Sequence, residues 1–293
     1  MKNLFLAAVI LFTLSLPAGG EEAAPLEIHF IDVGYGDAIL LKSPEGGYSL
    51  IDTGPPRARG KLLDYLRERG VGRLEYLIVT HPHPDHLGNA AAVLREFGAA
   101  NLRDNGEEID RFDEYLTPEM VEEYEREFRG DADYSLLRAG ENIEWSGLSL
   151  EVLWPRDLAA SEDWNTNSLV LMLRHGEFRA LLTGDFNTAG EKIILEKKAA
   201  DLRANLLKVG HHGAGDAAGD DFLRAVSPEA AVVSVGENPW GYPVEARLES
   251  LEKLGIRLYR TDRVGTVVFR CRAEGTFARY PGEAPPSESG SLR

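Results

Sequence analysis

The sequence predicts an α/β fold in which two β-sheets form a sandwich covered by helices on its outer faces. Three observations lead to this prediction. Two successive sets of short strand-like runs occur, and each set is accompanied by helix-like segments. Clusters of glycine, proline and aspartate separate these runs and mark turns. The chain has 293 residues, a length that suits one large α/β domain with added segments rather than two complete enzymatic domains.

The first set of elements lies between residues 27 and 97. Its strands are short apolar or alternating runs bounded by turn residues, and its first helix ends at Gly70, a residue type that commonly ends helices. The predicted strands are Glu27–Val33, Ala38–Lys42, Tyr48–Asp52 and Leu74–Thr80, and the predicted helices are Arg57–Arg69 and Leu87–Phe97.

An acidic segment, Asn101–Arg138, separates the two sets. It is dense in aspartate, glutamate, arginine and tyrosine and has weak periodicity, which predicts a partly helical insertion with one helix over Thr117–Phe128. Two interpretations stay open for this insertion: a lid over a substrate, or a solvated pair of peripheral helices.

The second set of elements lies between residues 148 and 280. It repeats the alternation of strands and helices, which supports the second sheet of the sandwich. The predicted strands are Leu148–Leu153, Ser168–Arg174, Arg179–Leu182, Asn205–Val209, Ala230–Val235, Arg257–Tyr259, Thr266–Arg272 and Thr276–Tyr280, and the predicted helices are Thr188–Ala199, Asp220–Val226 and Val244–Leu254.

Residues 1–20 have the features of a secretory signal peptide. Lys2 supplies the positive charge, Leu4–Leu16 is the apolar stretch, and Ala18–Gly20 offers small residues for cleavage. The alternative is an uncleaved membrane anchor, although the apolar stretch is shorter than the ~20 residues that a spanning helix needs. The sequence therefore predicts a secreted or periplasmic protein without stable membrane insertion after cleavage.

The predicted domain occupies residues 26–282, and the Pro/Ser/Glu-rich residues 283–293 are predicted to be a disordered tail. Cys271 is the only cysteine, so no internal disulfide can form. The formal net charge of −16 argues against tight, non-specific binding of polyanions. It does not exclude a hydrolase that acts on nucleic acid, because bound cations can invert the local potential at a site.

Four potential metal ligands lie within six residues directly after the predicted strand Leu74–Thr80. They are His81, His83, Asp85 and His86. Imidazoles and carboxylates are the ligands that zinc and similar divalent ions bind. The intervening prolines favour an extended loop, so the first two histidines can point to one side. The last two ligands begin the next helix and can face a second ion. The alternative is a histidine-rich surface turn.

Three further strand ends carry polar groups. Asp52 can accept an N–H from a ligand imidazole, although an Asx turn is the alternative. Asp185 can bridge two ions at the ~3.5–4 Å separation of two-metal sites. His211 and His212 follow another strand, and only one need be a ligand, because adjacent side chains diverge. Lys208 either meets an anionic group of the substrate or is an ordinary surface lysine.

The order of these motifs resembles that of the metallo-β-lactamase superfamily. The motifs are Asp52-Thr-Gly54, the HxHxDH run at 81–86, Thr183-Gly-Asp185 and His211-His-Gly213. More narrowly, the segments Phe30–Ala38, Asn165–Val170, Leu207–Gly213 and Tyr259–Asp262 resemble the hydrolase domain of the ComEC/Rec2 family of DNA-uptake competence proteins. The resemblance extends from Leu26 to Tyr280. It implies an αββα sandwich with a metal site at one edge, between the two sheets.

The resemblance also implies a ligand set for one or two divalent ions, zinc first and manganese as the alternative. One ion would be held by His81, His83 and Asp185. The other would be held by Asp85, His86, Asp185 and either His211 or His212. The segment where superfamily members carry a further histidine has none here, so Asn165, Asn167 or water would complete the first ion, and these asparagines and Asp52 would support the ligands.

The function implied is that of a secreted or periplasmic metal-dependent hydrolase. Its expected targets are phosphodiester bonds, with DNA as a candidate partner, and its expected catalytic residues are Asp85, Asp185 and Lys208. Two alternatives stay open. The same residues can hydrolyse another small ester, a lactone or a lactam, or the chain is a non-catalytic binding module for DNA uptake with a degenerate metal site. The sequence does not indicate an oligomeric state.

Overall fold

The computed structural model describes residues 23–109, 115–158, 161–197 and 201–280. The predicted signal peptide, the predicted tail and the end of the predicted helix Thr188–Ala199 lie outside these residues. None of the helices in the described ranges is long and apolar enough to span a membrane.

The strands are β1 Leu26–Phe30, β2 Ile39–Lys42, β3 Tyr48–Ile51, β4 Leu74–Val79, β5 Ala99–Asp104, β6 Tyr134–Leu136, β7 Asn142–Trp145, β8 Leu148–Trp154, β9 Val170–His175, β10 Phe178–Leu182, β11 Leu206–Lys208, β12 Ala230–Val233, β13 Arg257–Arg260, β14 Val267–Cys271 and β15 Phe277–Tyr280. The α-helices are α1 Arg59–Glu68, α2 Pro84–Leu87, α3 Ala90–Phe97, α4 Pro118–Glu123, α5 Thr188–Glu196, α6 Asp220–Val226, α7 Glu245–Lys253 and α8 Thr261–Val264. A π-helix, Tyr124–Arg129, continues α4, and short 3₁₀ turns cover Pro56–Ala58 and Gly210–Gly213.

The strands form two sheets. The first has the order β15-β14-β1-β2-β3-β4-β5-β6, and the second has the order β13-β12-β11-β10-β9-β8-β7. Each sheet contains a parallel half, β3 to β6 in the first and β10 to β13 in the second, and the remaining neighbours are antiparallel. The carboxyl ends of the parallel strands in one sheet lie at the same edge, where loops can present functional side chains.

Alternation along the strands produces three apolar layers. In β4, Tyr76 and Ile78 face the layer between the two sheets, whereas Leu77 and Val79 face the helices α1 and α3. The outer face of the second sheet packs in the same way against α5, α6 and α7. The predicted αββα sandwich is therefore confirmed, with one core between the sheets and one beneath each helical layer.

The acidic segment Asn101–Arg138 corrects the sequence interpretation. It contributes β5 and β6 to the first sheet, and β7 follows it in the second, so three strands were missed. Their sequences are rich in polar residues because two of them, β6 and β7, are sheet edges. The predicted helix is present as α4 and the π-helix, which bury Val121, Tyr124 and Phe128 against the first sheet. Because this helical part of the segment packs against the first sheet, it is neither a lid over a substrate nor a solvated pair of peripheral helices.

A buried carboxylate explains the polar composition of this segment. Asp104, at the end of β5, accepts hydrogen bonds from the hydroxyls of Tyr124 (2.9 Å) and Tyr134 (2.8 Å) and from Nε of Arg129 (2.7 Å). Charge-assisted hydrogen bonds of this kind offset the cost of burying a carboxylate. The charged residues thus join the π-helix to the sheet.

The predicted helix Leu87–Phe97 is interrupted at Gly88 and Asn89, which separate α2 from α3. A Cβ on Gly88 would lie 2.7 Å from the carbonyl oxygen of Gly54, so only glycine allows this approach. The Asn89 amide donates to the carbonyls of Thr53 and Pro55, both at 2.8 Å. The interruption therefore fastens the histidine loop to the loop after β3.

We expect Phe269→Ala to lower the free energy of unfolding by about 3–5 kcal/mol, because it leaves a cavity between the sheets. Phe269 is 1% exposed and its ring packs against Tyr259 and Phe277 at centroid distances of 5.4 and 5.6 Å. Urea unfolding measures the change. Leu254→Ala, at a surface position, is the control and should change stability by less than about 0.5 kcal/mol. Equal effects of the two substitutions would contradict the proposed core.

Candidate metal centre

Four loops that follow parallel strands meet at one edge of the sandwich. The loop after β4 carries the histidine motif, the loop after β3 carries Asp52, and the loops after β10 and β11 carry Asp185 and His212. Leu169 donates from its backbone N–H to the carbonyl of Thr80 at 3.0 Å, which joins the second sheet to the first at this edge. Side chains that are distant in sequence therefore converge on one buried cluster.

Among the described residues, three groups of ligand atoms occur, and the atoms of each group lie within 4.8 Å of one another. One of them, Asp37, Asp52 and His86, lies on the Nδ1 side of the His86 ring, and the other two form the ligand groups of this cluster. The first group is His81, His83 and Asp185. The second group is Asp85, His86, Asp185 and His212. Asp185 belongs to both groups, as a carboxylate that bridges two ions would.

The Asp185 carboxylate stands at the centre of the cluster. Its Oδ2 lies 3.3 Å from Nε2 of His86, 3.2 Å from Nε2 of His212 and 4.0 Å from Nε2 of His81. The Asp85 carboxylate closes the second group, 3.1 Å from Nε2 of His212 and 3.7 Å from Nε2 of His86. In each of these contacts the imidazole atom is Nε2. The rings of His81, His86 and His212 therefore all turn their Nε2 edge toward the carboxylates.

The opposite edges of two rings are occupied by pure hydrogen-bond acceptors. Nδ1 of His86 lies 2.8 Å from the Asp52 carboxylate, and Nδ1 of His212 lies 2.8 Å from the carbonyl oxygen of Ser234. Each Nδ1 must therefore carry the hydrogen, which leaves the Nε2 lone pair directed at the carboxylates. Two lone pairs facing each other repel unless a proton or a metal ion lies between them.

His81 is oriented by the same carboxylate through an intermediate. The Thr80 hydroxyl donates to Oδ2 of Asp52 at 2.8 Å, so its oxygen accepts from Nδ1 of His81 at 3.1 Å. Nε2 of His81 then faces Nδ1 of His83 at 2.8 Å. Asp52 also accepts from the Thr80 backbone N–H at 2.7 Å and adopts a left-handed backbone with φ 59°. One buried aspartate thus fixes both His81 and His86.

The protonation equilibria show how strongly this cluster attracts positive charge. Burial lowers the pKa of His86, but Asp185, Asp52 and Asp85 outweigh it and raise the pKa well above its usual range. Burial also lowers the pKa of His212, yet Asp185 and Asp85 raise it to about 9. The pKa of Asp185 lies well below its usual range because the neighbouring imidazoles outweigh its burial. A divalent cation would meet the same electrostatic requirement.

The donor set fits divalent ions. Nε2 of His86 and Oδ1 of Asp185 are buried without a hydrogen-bond partner, and both residues belong to the ligand groups. Imidazole nitrogens with carboxylate oxygens are the ligands of zinc and related ions. The first group has two imidazoles and the second also has two, so the missing third histidine does not leave either group without nitrogen ligands.

Lys208 requires a correction. It was expected to meet a substrate or to lie at the surface, but it is fully buried behind the cluster. Its Nζ contacts the Asp37 carboxylate at 2.5 Å, the Gly184 carbonyl at 2.8 Å and Oδ1 of Asp185 at 3.5 Å. Asp37 and Asp185 raise its pKa against the effect of burial. Lys208 therefore balances charge behind the site and cannot touch a substrate.

The two adjacent histidines separate, because His211 and His212 have left-handed φ angles of 44° and 52°. His212 enters the cluster, whereas His211 lies at the rim with Nδ1 2.9 Å from the Asp216 carboxylate. His211 also lies 3.4 Å from the amide nitrogen of Asn165. His211 does not belong to the two ligand groups. The Oδ1 atom of Asn165 is buried without a hydrogen-bond partner, so its expected role beside the first group stays a prediction.

Asn167 is also placed differently from the expectation. Its amide nitrogen donates to the carbonyl of Ser161 at 2.9 Å and contacts the Glu107 carboxylate at 3.2 Å. Its backbone carbonyl accepts from Asn105 at 2.9 Å. Asn167 thus holds the loop before β9 in place and makes no hydrogen bond with the ligand groups.

Sequence reasoning missed Thr80 and Asp37 as parts of the site. Asp37 lies 3.9 Å from Nδ1 of His86, and its backbone accepts from and donates to the loops that carry Asp52 and Asp85. Its signal was present in the motif Phe30–Ala38, where this aspartate stands two residues before the apolar strand β2. Thr80 gave no signal beyond its position before His81.

An open cavity of about 360 Å³ leads from the surface to the cluster. Three members of the ligand groups, His83, Asp85 and Asp185, line its floor. The walls are formed by Tyr35, Pro55, Pro56, Arg57, Pro84, Tyr115, His211, Trp240 and Tyr242. The ligand groups are therefore accessible to small molecules through this cavity.

A family profile described as the metallo-beta-lactamase superfamily matches residues 31–237, more than half of the chain. The chain belongs to this superfamily. Its sequence is 31% identical to that of ComE operon protein 3 of Bacillus subtilis, over 87% of this chain and 34% of that protein. It is 29% identical to Recombination protein 2 of Haemophilus influenzae, over 82% of this chain and 28% of that protein.

A third relative, competence protein ComA of Neisseria gonorrhoeae, is 31% identical over 85% of this chain and 33% of its own length. These proteins confirm the resemblance that the motifs indicated. The chain spans about a third of the length of these curated relatives.

Solved structures of the same fold are also similar to this superfamily member. The metallo-beta-lactamase fold protein YhfI from Bacillus subtilis gives a TM-score of 0.54 at 12% identity, covering 83% of this chain and 98% of that one. Igni18, a metallo hydrolase from the archaeon Ignicoccus hospitalis, gives a TM-score of 0.54 at 16% identity, covering 84% of this chain and 100% of that one. At these identities the likeness concerns the fold.

We expect Asp52→Asn to weaken metal binding by about 10- to 100-fold. An asparagine can turn its N–H₂ toward Nδ1 of His86, which would move the ring hydrogen to Nε2 and block that ligand. Competition with a chromogenic chelator measures the affinity. Asp64→Asn, at a solvent-exposed side chain, is the matched control. Identical affinities of the two variants would show that Asp52 does not orient the ligands.

Proposed function

We propose that this chain is a metal-dependent hydrolase of phosphodiester bonds. The observation that carries the proposal is the pair of ligand groups that share Asp185 at the floor of an open cavity. Two-metal sites of hydrolases use such a shared carboxylate. Zinc is the first candidate for both positions because the donors are imidazoles and carboxylates, and manganese is the second.

The charge of the site favours an anionic substrate once ions are bound. Asp37, Asp52, Asp85 and Asp185 supply four carboxylates, and Lys208 supplies one compensating cation. Two divalent ions would exceed the remaining negative charge, so the floor of the cavity would become positive. Arg57 adds a cation at the wall, where it makes no hydrogen bond or ion pair within the described ranges. A phosphodiester anion matches this potential better than a neutral lactam or lactone.

DNA is the proposed source of the phosphodiester. The relatives carry the names of competence and recombination proteins, which supports a nucleic acid as the substrate. The apolar N-terminal segment supports export to the periplasm or the exterior, where incoming DNA is met. Hydrolysis of another small ester, and DNA binding without cleavage, are the outcomes against which the proposal is tested.

The residues of the chain have distinct roles in this proposal. When bound, the divalent ions would supply Lewis acidity and lower the pKa of a water molecule. Asp185 and the imidazoles would hold the ions, and Asp52 would keep the Nε2 atoms free to bind. Asp85, whose side chain is 16% exposed to the cavity, would orient a water molecule that enters from solvent. The cavity walls would align the phosphodiester over the ligand groups.

We expect His83→Ala and Asp85→Ala each to lower phosphodiesterase activity by more than about 100-fold, because each removes a ligand that faces the cavity. Metal content and hydrolysis of bis-p-nitrophenyl phosphate and of an oligonucleotide should be measured on the same preparations. Asp64→Ala, with a solvent-exposed side chain, is the control and should keep full activity.

Three results would contradict this function. Turnover of nitrocefin or of a lactone, with intact phosphodiesters, would assign a different hydrolase. Less than one equivalent of retained metal, without hydrolysis after zinc or manganese is added, would leave a binding module. Full activity of both ligand variants would exclude this cluster as the active site.

A further inference from the structure

An aromatic wall stands beside the ligand groups and has no part in holding metal. It consists of Tyr35, Trp240 and Tyr242. The Tyr35 ring packs on the His212 ring at a centroid distance of 4.3 Å and on Trp240 at 4.9 Å. Trp240 and Tyr242 are stacked, with an interplanar angle of 22°. Trp240 is 47% exposed, so a large aromatic surface next to a metal cluster is left to solvent.

The loop that carries Trp240 is held in one conformation. The Asn238 side chain donates to the carbonyls of Gly236 and Tyr242, both at 2.9 Å, and accepts from the Tyr242 N–H at 3.0 Å. A Cβ on Gly236 would lie 2.5 Å from the backbone of Gly34, so the loop packs directly on the residue before Tyr35. The wall is therefore positioned before any ligand arrives.

A second depression adjoins the first and shares Trp240 with it. It has a volume of about 310 Å³ and is lined by Gly34, Tyr35, Arg57, Glu237, Pro239 and Trp240. Tyr35, Arg57 and Trp240 line both depressions. A chain molecule that extends from the ligand groups would thus cross the Trp240 ring and pass the Arg57 guanidinium.

We propose that Trp240, supported by Tyr35 and Tyr242, is a stacking subsite for a nucleobase next to the scissile phosphodiester, and that the substrate is single-stranded nucleic acid. This inference rests on the proposed function for the identity of the reacting bond. Base stacking on aromatic side chains requires an unpaired base, because a base within a duplex has no free face. Arg57 is placed to contact an adjacent phosphate.

The net charge supports stacking as the main source of affinity. A chain with a formal charge of −16 offers little attraction for a long phosphate backbone. Affinity must then come from a few local contacts, namely the metal ions, the aromatic wall and Arg57. The structure therefore predicts a short footprint and a weak dependence of binding on salt.

The test measures binding separately from cleavage. A fluorescent dT₁₀ oligonucleotide with hydrolysis-resistant phosphorothioate linkages is titrated with the Mn²⁺-loaded protein, and fluorescence anisotropy gives Kd. We expect Trp240→Ala to raise Kd by about 5- to 100-fold and Trp240→Phe to raise it much less, because phenylalanine keeps a stacking face. Tyr280→Ala, an exposed aromatic residue outside both depressions, is the control and should leave Kd unchanged.

An abasic oligonucleotide of the same length identifies the contact. The wild type should lose as much affinity for it as Trp240→Ala loses for dT₁₀, and Trp240→Ala should bind both oligonucleotides equally. The slope of log Kd against log salt should be about 1, as expected for one or two phosphate contacts. Equal binding of dT₁₀ and the abasic oligonucleotide by the wild type, or tighter binding of a duplex, would overturn the inference.

Cleavage of ordinary dT₁₀ separates this inference from the proposed function. Binding through Trp240 without cleavage would refute the proposed hydrolase activity and support the stacking subsite. Cleavage with no effect of Trp240→Ala on Kd or KM would leave the hydrolase and refute the subsite. Absence of both binding and cleavage would refute both.

Discussion

The buried carboxylate of Asp52 determines how the histidine loop after β4 can bind metal. It accepts from His86 directly and orients His81 through the Thr80 hydroxyl. Both rings therefore direct an Nε2 lone pair toward the ligand groups, where a metal ion can bind it. The left-handed backbone at Asp52 and the Asn89 contacts with its loop keep this carboxylate in place. The loop after β3 thus sets the tautomer of two histidines.

Most of the fold could be predicted from the sequence because burial follows regular periods. The runs at β4 and β8 to β12 have apolar residues on both faces, since helices cover the sheets. The strands β5, β6 and β7 were missed for the opposite reason. In β5, Arg103 and Asn101 are paired by local hydrogen bonds, and Asp104 receives its partners from the π-helix, so polar residues occupy strand positions. Hydrogen bonds from residues distant in sequence allow polar side chains in these strands, and such bonds cannot be read from the local sequence pattern.

The candidate site was predictable where chemistry depends on residue type and spacing. The HxHxDH run, Asp185 and one of the paired histidines meet as expected, because each follows a parallel strand at the same edge. The choice between His211 and His212 was not predictable, since it depends on two consecutive left-handed residues. The burial of Lys208 was equally hidden, because only the folded chain places Asp37 beside it.

The loop that carries Trp240 makes its hydrogen bonds largely within itself, through Asn238, and touches the rest of the site at Gly34, Tyr35 and the neighbouring aromatic rings. None of the ligand groups takes an atom from it. The proposed recognition surface is therefore separable from the ligand groups. Replacing residues 237–242 of this loop, which leaves the Ser234 carbonyl at Nδ1 of His212 in place, offers a route to redirect selectivity by design or by evolution while the coordination geometry stays intact.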